Sequence, residues 1–152
     1  MADTRCQIEC EDWVRLTWLP AKYGQPFHRE RLRLSSGGLF DFDAVSADKL
    51  IAATISTSAA RTASGKNGVG KMHKLRSDML FLLLAGRPRS LMVLTEESMY
   101  RQLLKEKEGG RVPNKIEFVY AELPNELAQR LEAARRSSSL EVSPRASTDS
   151  TI

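Results

Sequence analysis

Residues 28–57 constrain the fold most, because they hold three strand-like segments joined by connections too short for a helix. In residues 28–34, arginine alternates with other residues, a period of two that is typical of a half-buried strand. A Ser-Ser-Gly-Gly turn leads into a second segment at 39–45, and an Ala-Asp-Lys turn leads into a third at 50–57. Such short connections join antiparallel neighbours. The sequence therefore predicts an antiparallel meander.

Helical patterns precede and follow this meander. The first helix is predicted over residues 7–19 and ends before Pro20. Its expected apolar face consists of Ile8, Trp13, Leu16 and Leu19. Further helices are predicted at 71–84, 96–107 and 125–135, alternating with strands at 90–94 and 116–121. The order α-β-β-β-α-β-α-β-α predicts an α/β fold, a mixed sheet flanked by helices.

The chain has 152 residues, the size of one domain with one core. Residues 1–136 are predicted to form this domain, and the Ser/Thr-rich segment 137–152 a disordered tail with little to bury. No apolar run reaches the roughly 18–20 residues of a membrane span, and the N-terminus lacks the order of a secretory signal. A disulfide between Cys6 and Cys10 would close a trivial loop. We therefore expect a cytoplasmic protein with no membrane partner.

Positive charge is concentrated in one part of the chain. The formal net charge is +4, and residues 49–77 contain no aspartate or glutamate. Acidic residues gather instead at 9–12, 41–48 and 96–108. This separation is typical either of a phosphate-facing surface beside a metal site or of a solvated basic loop. The predicted phosphate contacts are Arg61, Lys66, Lys71, Lys74 and Arg76.

Two aspartates in the second strand are the candidate chemical centre. A period of two places Asp41 and Asp43 on one strand face together with Leu39 and Val45. Two carboxylates held this close repel each other unless they face solvent or share a cation. Hard cations such as Mg²⁺ prefer carboxylate oxygens. The pair is therefore interpreted either as a set of metal ligands or as the wet face of an edge strand.

The α-β-β-β-α-β order, with an aspartate late in the second strand, resembles the core of the PD-(D/E)XK, or restriction-endonuclease-like, nucleases. In that family a second-strand Asp and a third-strand Glu-x-Lys bind metal and position the attacking water, often assisted by a first-helix Glu. Asp43 matches the family's aspartate, and Asp41 matches a frequent additional acid. Glu9 or Glu11 matches the first-helix acid. The resemblance covers residues 7–95 and implies Mg²⁺ as cofactor and nucleic acid, chiefly DNA, as partner.

The third strand departs from the family pattern. Thr54 and Ser56 stand where the Glu and the Lys would fall, and hydroxyl groups add no charge to a transition state. Lys71 and Lys74 on the next helix are candidates to replace the lysine, and Glu30 to replace the glutamate. The predicted function is a metal-dependent nuclease-like protein that acts on or binds DNA. A catalytically inactive nucleic-acid-binding or assembly module is the alternative, with a second copy of the chain as a further candidate partner.

The segment 65–71 also matches the phosphate-loop pattern G-x-x-x-x-G-K, between a predicted strand and a predicted helix. Met72 replaces the hydroxyl residue that would hold Mg²⁺, and no Walker-B aspartate ends the apolar strand at 90–94. A phosphate-loop nucleotide binder is therefore the second alternative. The same loop would also suit a nucleic-acid backbone, because main-chain amides at a helix N-terminus attract phosphate oxygens.

Overall fold

The computed structural model describes residues 4–61 and 69–137. Helix α1 comprises three consecutive segments, α-helical Arg5–Trp13, π-helical Val14–Trp18 and α-helical Leu19–Tyr23. The later helices are α2 (Val69–Ala85), α3 (Glu97–Glu108) and α4 (125–137). The strands are β1 (Phe27–Arg33), β2 (Leu39–Ser46), β3 (Ile51–Ser56), β4 (Arg89–Leu94) and β5 (Ile116–Tyr120). This is the predicted order of elements, and the α/β fold is confirmed.

All five strands form one sheet in the order β1-β2-β3-β4-β5. β1, β2 and β3 are antiparallel neighbours, so the predicted meander is confirmed. β4 is parallel to β3, and β5 is parallel to β4. The crossovers through α2 and α3 bring the chain back in the same direction each time, which places the carboxyl ends of three parallel strands at one edge.

Helices cover both faces of the sheet. On one face, α2 and α3 pack against alternate residues of the central strands, including Ala52 and Met92. On the other face, α1 packs against the intervening residues, such as Ala53 and Leu91. α4 and Leu123, which precedes it, pack on α1 in a cluster of Cys6, Cys10, Leu123 and Leu131. Since fully burying one leucine-sized side chain stabilises a fold by about 1.5–3 kcal/mol, β3 and β4, buried on both faces, anchor the domain.

The apolar face predicted for α1 is partly wrong. Ile8 and Leu16 are 53% and 63% exposed. The residues that α1 buries are Cys6, Cys10, Val14, Arg15 and Leu19. The interval of five residues between Val14 and Leu19 reflects the π-helical turn, which adds one residue to a helical turn and shifts every later side chain around the axis.

The predicted end of α1 at Pro20 is also wrong, because the helix continues to Tyr23 and ends at Gly24 in a left-handed conformation. Pro20 lies in the first turn of the last segment, where the wider π-helical turn precedes its ring. In the described ranges no helix is long and apolar enough to cross a bilayer. Residue 137 ends α4, and the rest of the predicted tail, 138–152, lies outside the described residues.

Candidate functional site

β2 and β3 separate part-way along the sheet. Their last paired residues toward the end of β3 are Ala44 and Ala53, whereas β3 stays paired with β4 along its whole length. The side chain of Asp43 fills the opening, because its Oδ2 accepts a hydrogen bond from the Ile55 amide at 2.8 Å. We call this opening, bounded by Asp43, Thr54 and Ile55, the fork. A carboxylate there replaces the main-chain pairing that the strands lack.

An irregularity in β2 brings Asp43 to the fork. The register between β1 and β2 shifts by one residue between His28 and Glu30, so Asp43 and Ala44 both lie opposite Arg29. A β-bulge of this kind re-aims side chains, and bulges are frequent next to active sites. The position of Asp43 is therefore set by an inserted residue.

The strict alternation predicted for β2 breaks at this bulge. Phe42 and Val45 lie in the core on one face of the sheet, and Ala44 lies in the core on the other. Asp41 is exposed and pairs with Arg31, directly opposite on β1, with 2.9 Å between Nε and Oδ1. The hydrogen bond from Arg31 lowers the pKa of the Asp41 carboxyl. The structure thus places Asp41 in a surface ion pair and does not bring it to the fork.

Two other carboxylates interact electrostatically with Asp43. On α1, the pKa of Glu11 is raised, first by burial and then by the negative charge of Asp43. On α2, the pKa of Asp78 is raised by burial, with Lys74 opposing the shift and the charge of Asp43 adding to it. α1 and α2 cover opposite faces of the sheet, so the charge of Asp43 acts on one acid on each side. Asp43 is therefore coupled electrostatically to acids of two other elements.

These carboxylates do not form a ready metal site. Within residues 4–61 and 69–137, no group of three or more His, Cys, Asp or Glu side chains is placed to hold an ion. Their chemistry nevertheless fits a hard divalent cation, because carboxylate oxygens are its preferred ligands. A cation would also offset the charge of Asp43, which adds to the effect of burial in raising the pKa values of Glu11 and Asp78. The donor set suits Mg²⁺, and side-chain rearrangement would have to complete the site.

The acid of α1 at the fork is Glu11, and the other candidate, Glu9, faces elsewhere. The carboxylate of Glu9 pairs with Arg130 of α4 at 2.7 Å. Residues two apart on a helix point about 200° away from each other, so only one of the two can face Asp43. The sequence predicted either residue as the first-helix acid, and the packing of α4 on α1 distinguishes them.

The two hydroxyl residues on β3 supply no charge to the fork. Thr54 is 3% exposed, and its Oγ1 has no hydrogen-bond partner in the described part of the chain. Ser56 Oγ accepts a hydrogen bond from the Ser58 amide at 3.3 Å. Thr54 and Ser56 therefore do not supply the carboxylate and the ammonium group that the Glu-x-Lys pattern would provide.

The predicted replacements for the Glu-x-Lys residues separate in space. Lys74 pairs with Asp78 on the same helix, with 3.2 Å between Nζ and Oδ2. Lys71 lies further along the edge, where burial and then the charge of Arg135 lower its pKa. Glu30 pairs with Lys49 on the exposed side of the meander. Of the three, only Lys74 pairs with an acid whose pKa the charge of Asp43 helps to raise.

Basic side chains gather where β3 and β4 end. One cleft of about 410 Å³ is lined by Arg61, Arg101 and Lys105, and a neighbouring cleft of about 330 Å³ is lined by Arg61, Arg135 and Arg136. Arg135 links the ends of β3 and β4. It pairs with Glu96, after β4, at 2.7 Å and donates to the main-chain oxygen of Thr57, after β3. We call the following set the basic edge: Arg61, Lys71, Arg101, Lys105, Arg135 and Arg136. Ligands of α/β sheets commonly bind at the carboxyl ends of parallel strands.

The predicted phosphate contacts are thus only partly assembled. Arg61 and Lys71 belong to the basic edge, and Lys74 pairs with Asp78. Arg76 pairs with Glu106 of α3 at 3.5 Å. Lys66 and most of the phosphate-loop pattern at 65–71 lie outside the described residues, so their role stays a prediction.

Two residues of the fork were missed by sequence reasoning. Asp78 carried a usable signal, because it is the first acid after the acid-free segment and lies one helical turn after Lys74. Arg15 carried none, since a charged residue on an amphipathic helix is expected to face solvent. Its Nε nevertheless donates to the main-chain oxygen of Asp43 at 2.7 Å.

Comparisons with protein families, with curated proteins and with solved structures find no match to this chain. Its function has therefore to be argued from the geometry of the fork and the basic edge.

Proposed function

We propose that the chain is a divalent-metal-dependent nuclease-like protein of the PD-(D/E)XK type, which binds DNA at the basic edge and acts on it at the fork. The observation that carries this proposal is the Asp43 carboxylate in the opening of the sheet, whose charge adds to burial in raising the pKa values of Glu11 and Asp78. Partly buried like charges destabilise a fold, and carboxylates with raised pKa values are characteristic of sites whose chemistry needs them.

Each group at the fork has a distinct role in this proposal. Asp43, Glu11 and Asp78 would hold Mg²⁺, and a bound divalent cation supplies Lewis-acid stabilisation of charge on phosphate oxygens. Lys74 places a positive charge beside Asp78, where it can stabilise the phosphodiester that reacts. Lys74 would thus replace the third-strand lysine of the family that the chain resembles.

The position of the basic edge supports DNA as the substrate. The fork opens toward the carboxyl end of β3, and the residues that follow β3 and β4 carry the basic edge. Arginine matches phosphate oxygens with paired donors, so a strand crossing this edge would be held beside Asp43. A phosphate there would also offset the charge of Arg135, which now lowers the pKa of Lys71 after the effect of burial.

The test compares two aspartates of β2 under the same substitution. Purified wild type, Asp43→Asn and Asp41→Asn are incubated with plasmid and single-stranded DNA in Mg²⁺ or Mn²⁺. We expect Asp43→Asn to reduce cleavage by about 10²–10³, the usual effect of losing one charge-stabilising group. Asp41→Asn should leave cleavage unchanged, since Asp41 lies in an exposed pair with Arg31. Cleavage that survives Asp43→Asn would place the chemistry elsewhere.

A second candidate function is a catalytically inactive DNA-binding module. It is favoured by the absence of a preformed ligand group among the described residues and by the uncharged pair Thr54 and Ser56 on β3. This function would be selected if wild type binds DNA in a salt-dependent way, cleaves it in neither metal and does not bind Mn²⁺.

The cysteines bear on the compartment that we propose. Cys6 and Cys10 are free and buried. Burial and the neighbouring Cys6 raise the pKa of Cys10 to about 12, which keeps it a poorly nucleophilic thiol. Two reduced, inert cysteines are what a protein of the cytoplasm would carry, and we propose that location.

A further inference from the structure

Two backbone irregularities face each other across the interface between α1 and the sheet. One is the π-helical turn Val14–Trp18, and the other is the bulge of β2 at Asp43. They meet in a single hydrogen bond, from Arg15 Nε to the main-chain oxygen of Asp43, at 2.7 Å. Both kinds of irregularity are frequent at functional sites, and here each supplies one partner of the same contact.

The burial of Arg15 is not explained by its ion pair. Arg15 is 6% exposed, and its Nη1 donates to Oδ1 of Asp12 at 2.8 Å. Asp12 is 49% exposed at its side chain, so an arginine on the surface could pair with it equally well. Taking a guanidinium out of water is unfavourable unless it gains hydrogen bonds that it could not make at the surface. The bond to Asp43 is the contact that requires the buried position.

The π-helical turn is what directs Arg15 inward. α1 buries every fourth residue as far as Val14, and then buries Arg15 as well before the next buried residue, Leu19. In an uninterrupted α-helix, neighbours differ by about 100° in direction, so Arg15 would point beside the sheet once Val14 faced it. The extra residue of the turn lets both side chains reach β2.

We propose that Arg15 is a positioning residue for Asp43, which fixes the main chain of the bulge and thereby holds the carboxylate at the fork. The effect of Arg15 on metal binding rests on the proposed function. Its effect on the position of the Asp43 carboxylate does not, because the Ile55 amide donates to Oδ2 of Asp43 and therefore reports where that oxygen lies.

The first measurement is amide hydrogen exchange by NMR, with Ile55 compared to Val93 on neighbouring β4. Arg15→Met removes the donors and keeps an unbranched stem, and we expect exchange at Ile55 to accelerate about tenfold relative to Val93. Asp12→Asn is the matched control, because it weakens the other contact of Arg15 and should leave the ratio unchanged. Equal acceleration at both amides, or none at Ile55, would overturn the proposal.

Arg15→Lys provides a milder variant if Arg15→Met does not fold. Lysine keeps the charge without the planar set of donors, so a smaller but still selective acceleration at Ile55, about threefold, is expected. Suppose that Arg15→Lys is the only variant that folds. If its ratio of exchange rates at Ile55 and Val93 then equals that of wild type, Arg15 is not a positioning residue.

The second measurement is Mn²⁺ titration by calorimetry. We expect Arg15→Met to weaken Mn²⁺ binding about tenfold and Asp12→Asn to leave it unchanged. If wild type binds no Mn²⁺, the proposed function fails, and the exchange at Ile55 still decides the role of Arg15. If wild type binds Mn²⁺ and Arg15→Met binds it equally tightly, Arg15 does not position Asp43 for the metal and the inference is overturned.

Discussion

The fork and the basic edge lie at the same end of β3 but hold their charges in opposite ways. At the fork, burial and the charge of Asp43 raise the pKa values of Glu11 and Asp78. At the basic edge, each of several arginines has an acidic partner, as in Arg101 with Glu97 and Arg136 with Glu132. These arginines are paired within the chain, whereas the ionised forms of Glu11 and Asp78 are disfavoured by burial and by the charge of Asp43. The cation that we propose at the fork would offset the charge of Asp43, which disfavours the ionised forms of these two acids.

The largest effect should come from weakening the basic edge. Arg61→Gln with Lys71→Gln removes two charges that face the proposed DNA path. If three or four such groups neutralise phosphates, affinity for duplex DNA should fall with salt at a log–log slope of about −3 to −4 in wild type, and about 2 units less steeply in the double variant. Fluorescence anisotropy over a salt series measures both slopes.

The matched control for this experiment is Arg31→Gln with Arg89→Gln. It removes the same charge from exposed pairs outside the basic edge, with Asp41 and Glu117. Equal losses of affinity in the two double variants would mean that net charge alone, and not the basic edge, attracts DNA.

A smaller effect should appear in stability without metal. Glu11→Gln and Asp78→Asn each remove a charge that burial and Asp43 disfavour, so each should raise the melting temperature at pH 7 in EDTA. About 2–4 °C is expected, the shift that roughly 1 kcal/mol produces in a domain of this size. The same variants should bind Mn²⁺ more weakly. A lower melting temperature would show that these carboxylates stabilise the fold.

The pH dependence of that gain has a definite sign. A carboxyl whose folded pKa is raised stabilises the fold fully below its unfolded pKa and loses this contribution as pH rises through the folded pKa. Wild type and Glu11→Gln should therefore have equal stability below about pH 4, since the ordinary pKa of glutamate is about 4.3. The variant should gain on wild type as pH rises toward 7. Urea unfolding at several pH values tests this, and a constant difference would contradict it.

The smallest effect compares one threonine from each region. Thr54 at the fork and Thr95 near the basic edge are both 3% exposed. Thr95 Oγ1 donates to the Ser56 main-chain oxygen at 3.4 Å, whereas Oγ1 of Thr54 has no partner in the described ranges. Thr95→Val should cost about 1 kcal/mol of unfolding free energy, and Thr54→Val should cost nothing or stabilise. A matching loss at Thr54 would reveal a partner for its hydroxyl.

Local patterns were sufficient to predict the strands and helices. The arginine alternation of β1, the short turns and the apolar run at 90–94 each predict an element that the structure contains. These signals are local because neighbouring residues determine both the period and the turn. The predicted elements therefore needed no knowledge of what packs against them.

The fork was only half predictable for the same reason. Asp43 was identified by its position in a strand. Asp78, on which the charge of Asp43 acts, lies in a helix 35 residues later in the sequence. An inserted residue also changes the side-chain direction of every later position without altering composition, as at the bulge of β2 and in α1, where Arg15 is buried and Leu16 is exposed. Neither insertion leaves a local signature, so neither could be predicted.

The hydrogen bond between Asp43 and the Ile55 amide means that a side chain contributes one rung of the sheet. A carboxylate has two oxygens, so one can close the gap between the strands while the other stays available to a ligand. Asparagine would keep an acceptor for the amide and lose the charge, whereas alanine would lose both. Comparing Asp43→Asn with Asp43→Ala therefore separates the role of Asp43 in strand pairing from its role in binding a ligand.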